Sequence, residues 1–313
     1  MSNPNSDFKQ SFLSFVEETT PGTTPSSPSM LKFRTTDPLA IQSQTEALQT
    51  EQPYSHRQLA MNRHAFKGVG GSLPHELSYG AFDAWIEALL GGAWSTETAG
   101  TPEILKIGNA IKTFTVERGF PDISEYEVFR GVIPNTWNLE INPQGIVTGD
   151  FGVIGMAHDA LTSSSLGSAT DVATNEPFDG LANASLQEGG SSIAIVTSLS
   201  LTINNNRNIG RLVGSDEGDV PNNGMIQVEG TLTARFRDEA LLNKFKNDTS
   251  SSLQVVLNDQ GGSDSLTFDF HDINYNGGNL NNNNDTLDVV LPFVAQYDSG
   301  ESTALTLTRS NAA

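Results

Sequence analysis

The 313-residue chain contains no cysteine. Disulfide staples, thiol nucleophiles and Cys-ligated zinc are therefore excluded, and the redox compartment is left open. Basic residues are scarce: 17 Lys plus Arg stand against 37 Asp plus Glu, a formal net charge of −20. Phosphate binding depends on Lys and Arg displacing counterions, so such a chain repels nucleic acid and anionic lipid surfaces alike. No run of about 18 apolar residues occurs, and nothing is expected to span a membrane. The opening MSNPNSDFKQSFLSFVEE lacks the basic region and continuous apolar stretch of a secretion signal. A protein made and kept soluble is expected.

Catalytic motifs are missing too. His56, His64, His75, His158 and His271 are scattered, with neither i, i+4 metal spacing nor an HExxH sequence. GxSxG, P-loop and strand-linked GxGxxG patterns do not occur. Gly68-Val69-Gly70-Gly71 follows the basic residues Arg57, Arg63, His64 and Lys67. That combination can cradle an anion, but a flexible turn with ordinary surface charge is the favoured reading. Asp216-Glu217-Gly218-Asp219 and Asp259-Gln260-Gly261-Gly262-Ser263-Asp264 offer oxygen ligands without the alternating frame and late Glu of a calcium loop. Carboxylates for glycoside cleavage pair only in space, and no pair is singled out. No catalytic residue, cofactor or metal site is expected, and the chain is read as a non-enzyme.

What is present is alternation. Trp137-Asn138-Leu139-Glu140-Ile141-Asn142 leads into Ile146–Ile154, and Leu199-Ser200-Leu201-Thr202-Ile203-Asn204 is followed by Met225–Phe236. Each pair joins an alternating strand ending in Ile-Asn to a second strand carrying a Gly between apolar positions. The echo alone establishes no duplication, because alternating strands share a grammar. It does favour a scaffold over a catalyst. Further strands are expected at 113–117, across Ile193–Ile203, at 253–257, 266–270, 287–296 and 303–308.

Leu77, Phe82, Trp85, Ile86, Leu89 and Leu90 follow helical spacing, with Ser78 as N-cap and Gly91-Gly92 as the stop. A shorter helix is expected at 238–246. Residues 1–36 are rich in Ser, Thr and Pro, and Thr19–Pro28 cannot be helical. They form either a disordered tail or an arm that docks on a neighbour, with Phe12, Phe15 and Val16 as anchors. Segments 162–192, 204–224 and 274–285 read as polar loops, the Asn276–Asp285 tract as a turn or mobile loop. No clean linker divides the remainder, so 37–313 is taken as a single β-rich domain with long inserted loops.

Glu18-Thr19-Thr20-Pro21-Gly22-Thr23-Thr24-Pro25, followed by Met30-Leu31-Lys32-Phe33-Arg34, resembles the N-terminus of tail tube (major tail) proteins of long-tailed bacteriophages. The resemblance continues through Gly71–Trp85, Gly91-Gly92-Ala93-Trp94, Arg118-Gly119-Phe120, Phe129-Arg130-Gly131, Ser198–Asn206 and Glu229–Phe236. It implies a mainly β, tail-tube-type β-sandwich or barrel with one or two flanking helices. It also implies hexameric rings that stack into a hollow tube through which the genome leaves the capsid without specific binding. The implied partners are further copies of the chain and the tape measure, terminator and distal tail proteins. The implied location is the virion, after assembly in the host cytoplasm, and a non-contractile, siphovirus-like tail is favoured. Six copies at −20 each carry about −120, enough to favour a negative channel. The competing expectations are another virion or surface β protein (a capsid decoration, or a fibre or adhesin module) and a carbohydrate-active β-sandwich enzyme.

Overall fold

Alternating strands leave backbone edges that must be paired, and here almost all of them join one connected antiparallel ladder. The computed structural model describes residues 5–311 except Pro53, 97–100, Thr174, 182–183, Ala194, Asp238, Ser263 and Asn284. The first four residues of the expected arm thus lie outside the described residues. So do Ala194 of the long alternating strand, Asp238 at the expected helix start, Ser263 of an acidic loop and Asn284 of the Asn tract. The first half of the chain forms β1 (Phe12–Glu17), β2 (Leu31–Lys32), β3 (Ile41–Gln49), β4 (Asn62–Glu76), α1 (Asp83–Leu90), β5 (Glu103–Lys106), β6 (Phe114–Phe120), β7 (Glu125–Ile141), β8 (Thr148–Gly155) and β9 (Ala157–His158). The second forms β10 (Ala184–Glu188), β11 (Ser191–Ser192), β12 (Val196–Asn204), β13 (Gln227–Arg235), α2 (Ala240–Lys246), β14 (Ser251–Asn258), β15 (Asp264–Tyr275), β16 (Asn279–Asn283), β17 (Thr286–Gln296) and β18 (Leu305–Asn311).

The main sheet runs β3-β4-β8-β7-β12-β13-β17, and the end of β15 together with β16 supplies its last edge. β7 and β15 serve two layers. The first part of β7 pairs with β6 and β9, and β6 continues to β1 and β2. The first part of β15 pairs with β14 and β18, which continue to β10 and β5. β7 changes layer at Gly131, whose φ of 63° lies in the left-handed region that a side chain would resist.

Apolar positions of both layers point between them. Trp85 of α1 stacks on Phe114 at 4.7 Å between ring centroids, and Trp137 stacks on Phe151 at 5.2 Å. Full burial of each large side chain contributes roughly 1.5–3 kcal/mol, and one continuous cluster runs from Leu13 to Leu307. The mainly β fold with two helices, expected from sequence, is thereby found. α1 buries Trp85, Ile86, Leu89 and Leu90 as the spacing predicts, and Gly91 closes it in the left-handed conformation. It begins at Asp83 rather than after Ser78, because Ser78 bridges to Pro177 and accepts a hydrogen bond from the Arg34 guanidinium at 2.8 Å.

Three expectations about local structure change. Gly68–Gly71 is not a turn but mid-strand in β4, where Gly71 is required because a Cβ would meet the Ala40 carbonyl. The Asn tract contains strand β16, held by pairing to β17 rather than by propensity. The segment 162–192, read as loop, contains β10 and β11.

The arm residues are also placed. β1 pairs with β6 from Phe12↔Gly119 to Glu17↔Phe114. Phe15 is 3% exposed and meets Phe33, Trp85 and Phe114 edge-on, so it belongs to the protomer's own core rather than to a docking surface. Phe12, over Gly119, and Val16 are half-buried. Glu18 is buried and accepts from Thr113 and Thr115 Oγ1 at 2.7 Å and from the Gly22 and Gly131 amides at 2.7 and 2.9 Å. That carboxylate fastens the Pro21-Gly22 turn to β6 and β7.

Candidate functional site

The histidines do not converge. His75 is buried against Phe82 and Phe151, with Trp137 Nε1 donating to its Nε2 at 3.3 Å and its Nδ1 3.1 Å from the Leu73 carbonyl. Burial lowers its pKa to about 4, so it is a neutral core residue. His271 meets Thr306 at 2.8 Å, and His56 stacks on Tyr54 at the surface. The first acidic loop is occupied by ion pairs, Asp216 with Lys67 at 2.8 Å and Glu217 with Arg130 at 2.6 Å; in the second, Asp259 accepts from the Asp264 amide at 3.1 Å and Asp264 from Asn175 Nδ2 at 3.3 Å. Among the described residues no group of three or more His, Asp or Glu side chains is arranged to hold a metal ion.

The surface that alternation does build is the open face of the main sheet. Because Leu73, Phe151, Trp137, Leu139, Leu201, Val228 and Leu291 point into the core, their neighbours in the same strands point away. There Asp150 accepts from Ser72 Oγ at 2.5 Å and from Asn138 Nδ2 at 3.2 Å, and Thr202 Oγ1 donates to Asn138 Oδ1 at 3.0 Å. This chain of hydrogen bonds ties β4, β8, β7 and β12 side by side. Glu140 and Glu229 are exposed on the same face. Arg235, at the end of β13, sits on it with Asp288 at 3.4 Å. The face carries these acids, hydroxyls and amides beside the outward Ile154, Val290, Pro292 and Val294. The acidic composition pointed to such a surface, but Glu140, Asp150 and Glu229 were not picked out; their places opposite Leu139, Phe151 and Val228 are the signal that finds them.

The sheet also ends in two unpaired strands. Among the described residues β3 pairs only with β4 and is exposed from Gln42 onward, and β16 pairs only with β17 and is exposed throughout. No helix among the described residues is long and apolar enough to cross a membrane.

The described residues thus form a two-layer antiparallel scaffold with an open face and exposed edge strands. Residues 9–308 match the phage tail tube protein family, and the chain belongs to that family. It is therefore a structural component of a phage virion, which favours the tail tube reading over a capsid decoration, fibre or adhesin module. No curated protein matches the chain.

Proposed function

We propose that the chain assembles into rings of six-fold order that stack into the hollow tail tube, with the open face of the main sheet turned to the lumen. The observation that carries this is the wall from β4 to β17, which holds Asp150, Glu140 and Glu229, with Arg235 ion-paired to Asp288. Phosphates passing such a wall meet carboxylates and are repelled, so the genome slides without adhering. The tape measure, terminator and distal tail proteins are the further partners of this reading, inside the tube and at its ends, and assembly takes place in the host cytoplasm.

Contacts between rings fall on what the protomer leaves uncovered. Phe12 and Val16 remain half-exposed and Phe8 is 52% exposed, so the arm docks through these rather than through Phe15. The projecting β3–β4 hairpin offers Leu48, Leu59 and Met61, all exposed. Negative-stain microscopy of the purified protein tests the reading: rings or tubes with a central hole are expected. A protein that stays monomeric at every concentration and salt would overturn it.

A further inference from the structure

Nine elements of the first half recur in the same order in the second; β5 has no counterpart, and β16 takes the place of the last part of β7. Each opens with an edge strand joined to a two-residue strand, β1 with β2 and β10 with β11. Each continues with a hairpin, β3–β4 and β12–β13, and then a helix, α1 and α2. Next comes a second hairpin, β6–β7 and β14–β15, whose register shifts at the same place, the start of its first strand: between Phe114 and Val116, and between Ser251 and Leu253. The long strand of that hairpin crosses layers and pairs with β8 in one half and β17 in the other. Those strands return to the first hairpin, Val69↔Gly155 to Glu76↔Thr148 in one half and Val228↔Ala295 to Arg235↔Asp288 in the other. Finally β9 and β18 both pair with the first part of the long strand. Even the edge strands agree, β1 on β6 and β10 on β14. Shared alternation does not produce the same order of nine elements with the same partners.

We infer that the chain is a tandem duplication of one tube unit, and that its internal seam, β7 on β12, shows how one chain joins the next. At the seam the outermost main-sheet strand of the first unit, β7, pairs with that of the second, β12, Ile141↔Leu199 to Thr136↔Asn204. The same two positions have no partner among the described residues at the ends of the main sheet, β16 at the second unit's edge and β3 at the first's. Leu139 and Leu280 are equivalent, each facing the middle of its neighbouring strand, Gly149 and Val289. Leu139 is 2% exposed beneath the seam, whereas Leu280, at the free edge, is 46% exposed. Neither β3 nor β16 carries the Lys or Pro with which solvent-facing edges are protected. The occupant of each edge is a second copy of this chain, β16 of one on β3 of the next. Such head-to-tail pairing closes into a ring. On the six-fold ring proposed above, on which this count rests, three chains complete it.

The register follows from the repeat. Leu201 sits opposite Gly230 as Ile41 sits opposite Gly71, so the seam pair Asn138–Thr202 becomes Asn279 of one chain against Gln42 of the next. A chain without cysteine makes this a clean test. A variant carrying Gln42→Cys and Asn279→Cys, assembled and then oxidised, should give a non-reducing gel ladder that stops at three chains, while either single substitution gives none. Native mass spectrometry of the unsubstituted ring should read three times 33.5 kDa, about 100 kDa. A ring of six chains, near 200 kDa, would overturn the duplication and leave the tube reading intact. Three-chain rings without the cross-link would overturn the seam, and the absence of any ring would overturn the tube reading itself.

Discussion

Phe15 decides whether the N-terminal segment is a docking arm or part of the protomer. At 3% exposure, with Phe33, Trp85 and Phe114 edge-on at centroid distances of 6.3, 5.5 and 5.5 Å, it closes one end of the aromatic core. Truncating a buried Phe to Ala costs about 3–5 kcal/mol. Edge-to-face pairs add roughly 0.5–1.5 kcal/mol each beyond burial, which places Phe15→Ala toward the upper end. A loss of about 4 kcal/mol in a chain of this size lowers Tm by on the order of 8 °C. The assay is urea and thermal unfolding of ring-free protein at low concentration, followed by near-ultraviolet circular dichroism. Phe12→Ala, at a half-buried position, should cost about 1–2 kcal/mol on the same assay. If Phe15→Ala unfolds with the parent's midpoint yet fails to stack into tubes, Phe15 is a docking residue and its inward placement is wrong.

Other substitutions probe different layers of the argument. Glu18→Ala leaves two hydroxyls and two amides around an empty site, and orphaned buried donors cost about 1–3 kcal/mol each; an unchanged urea midpoint would show that the carboxylate does not hold the turn. His75 has a folded pKa lowered to about 4 from 6.5, so its contribution is complete above pH 6.5 and is lost as pH falls from 6.5 to 4, where the unfolded chain takes up the proton first. The loss is on the order of 3 kcal/mol. Unfolding free energies measured at pH 7 and 4.5 should therefore differ less in His75→Gln than in the parent, and equal differences would refute the neutral-core assignment. Glu140→Lys combined with Glu229→Lys should leave tube assembly intact and slow genome release from phage carrying it. Release at the parent rate would remove these acids from the lumen.

Legibility followed the hydrophobic pattern. β7, β8, β12, β13 and β17 were readable because each buries one face and exposes the other, so period-2 alternation survives in the residues. The α1 body was readable for the same reason at period 3.6, but its start was not: Leu77 and Ser78 are drawn away by backbone bonds to Val147 and Phe178 and by Arg34. β3 and β16 were invisible. Gln42-Ser43-Gln44-Thr45-Glu46 and Asn281-Asn282-Asn283 have no buried face in the protomer, so no pattern marks them as strands. The arm misled in the opposite sense, because Pro and Thr around Phe15 describe a loop while the core lies one residue inside it.

The same physics explains why the repeat can be read in the ladders and not in the sequence. A strand needs only an apolar residue facing inward at alternate positions, so Leu73 and Leu232 can agree while His75 and Ala234, two positions on, do not. Register is far more constrained, since a one-residue slip would turn every inward side chain outward. Substitutions therefore accumulate on a fixed pairing pattern, and the two halves drift apart in residues while keeping the bulge at the start of β6 and β14, their layer crossings and their order. The two free edges are the exception that this logic predicts. Were β3 and β16 meant for water, selection would have had every opportunity to place a lysine or a proline there, at no cost to the core. The strands instead keep short polar side chains that suit a ladder, and a leucine waiting where its counterpart in the seam is already covered.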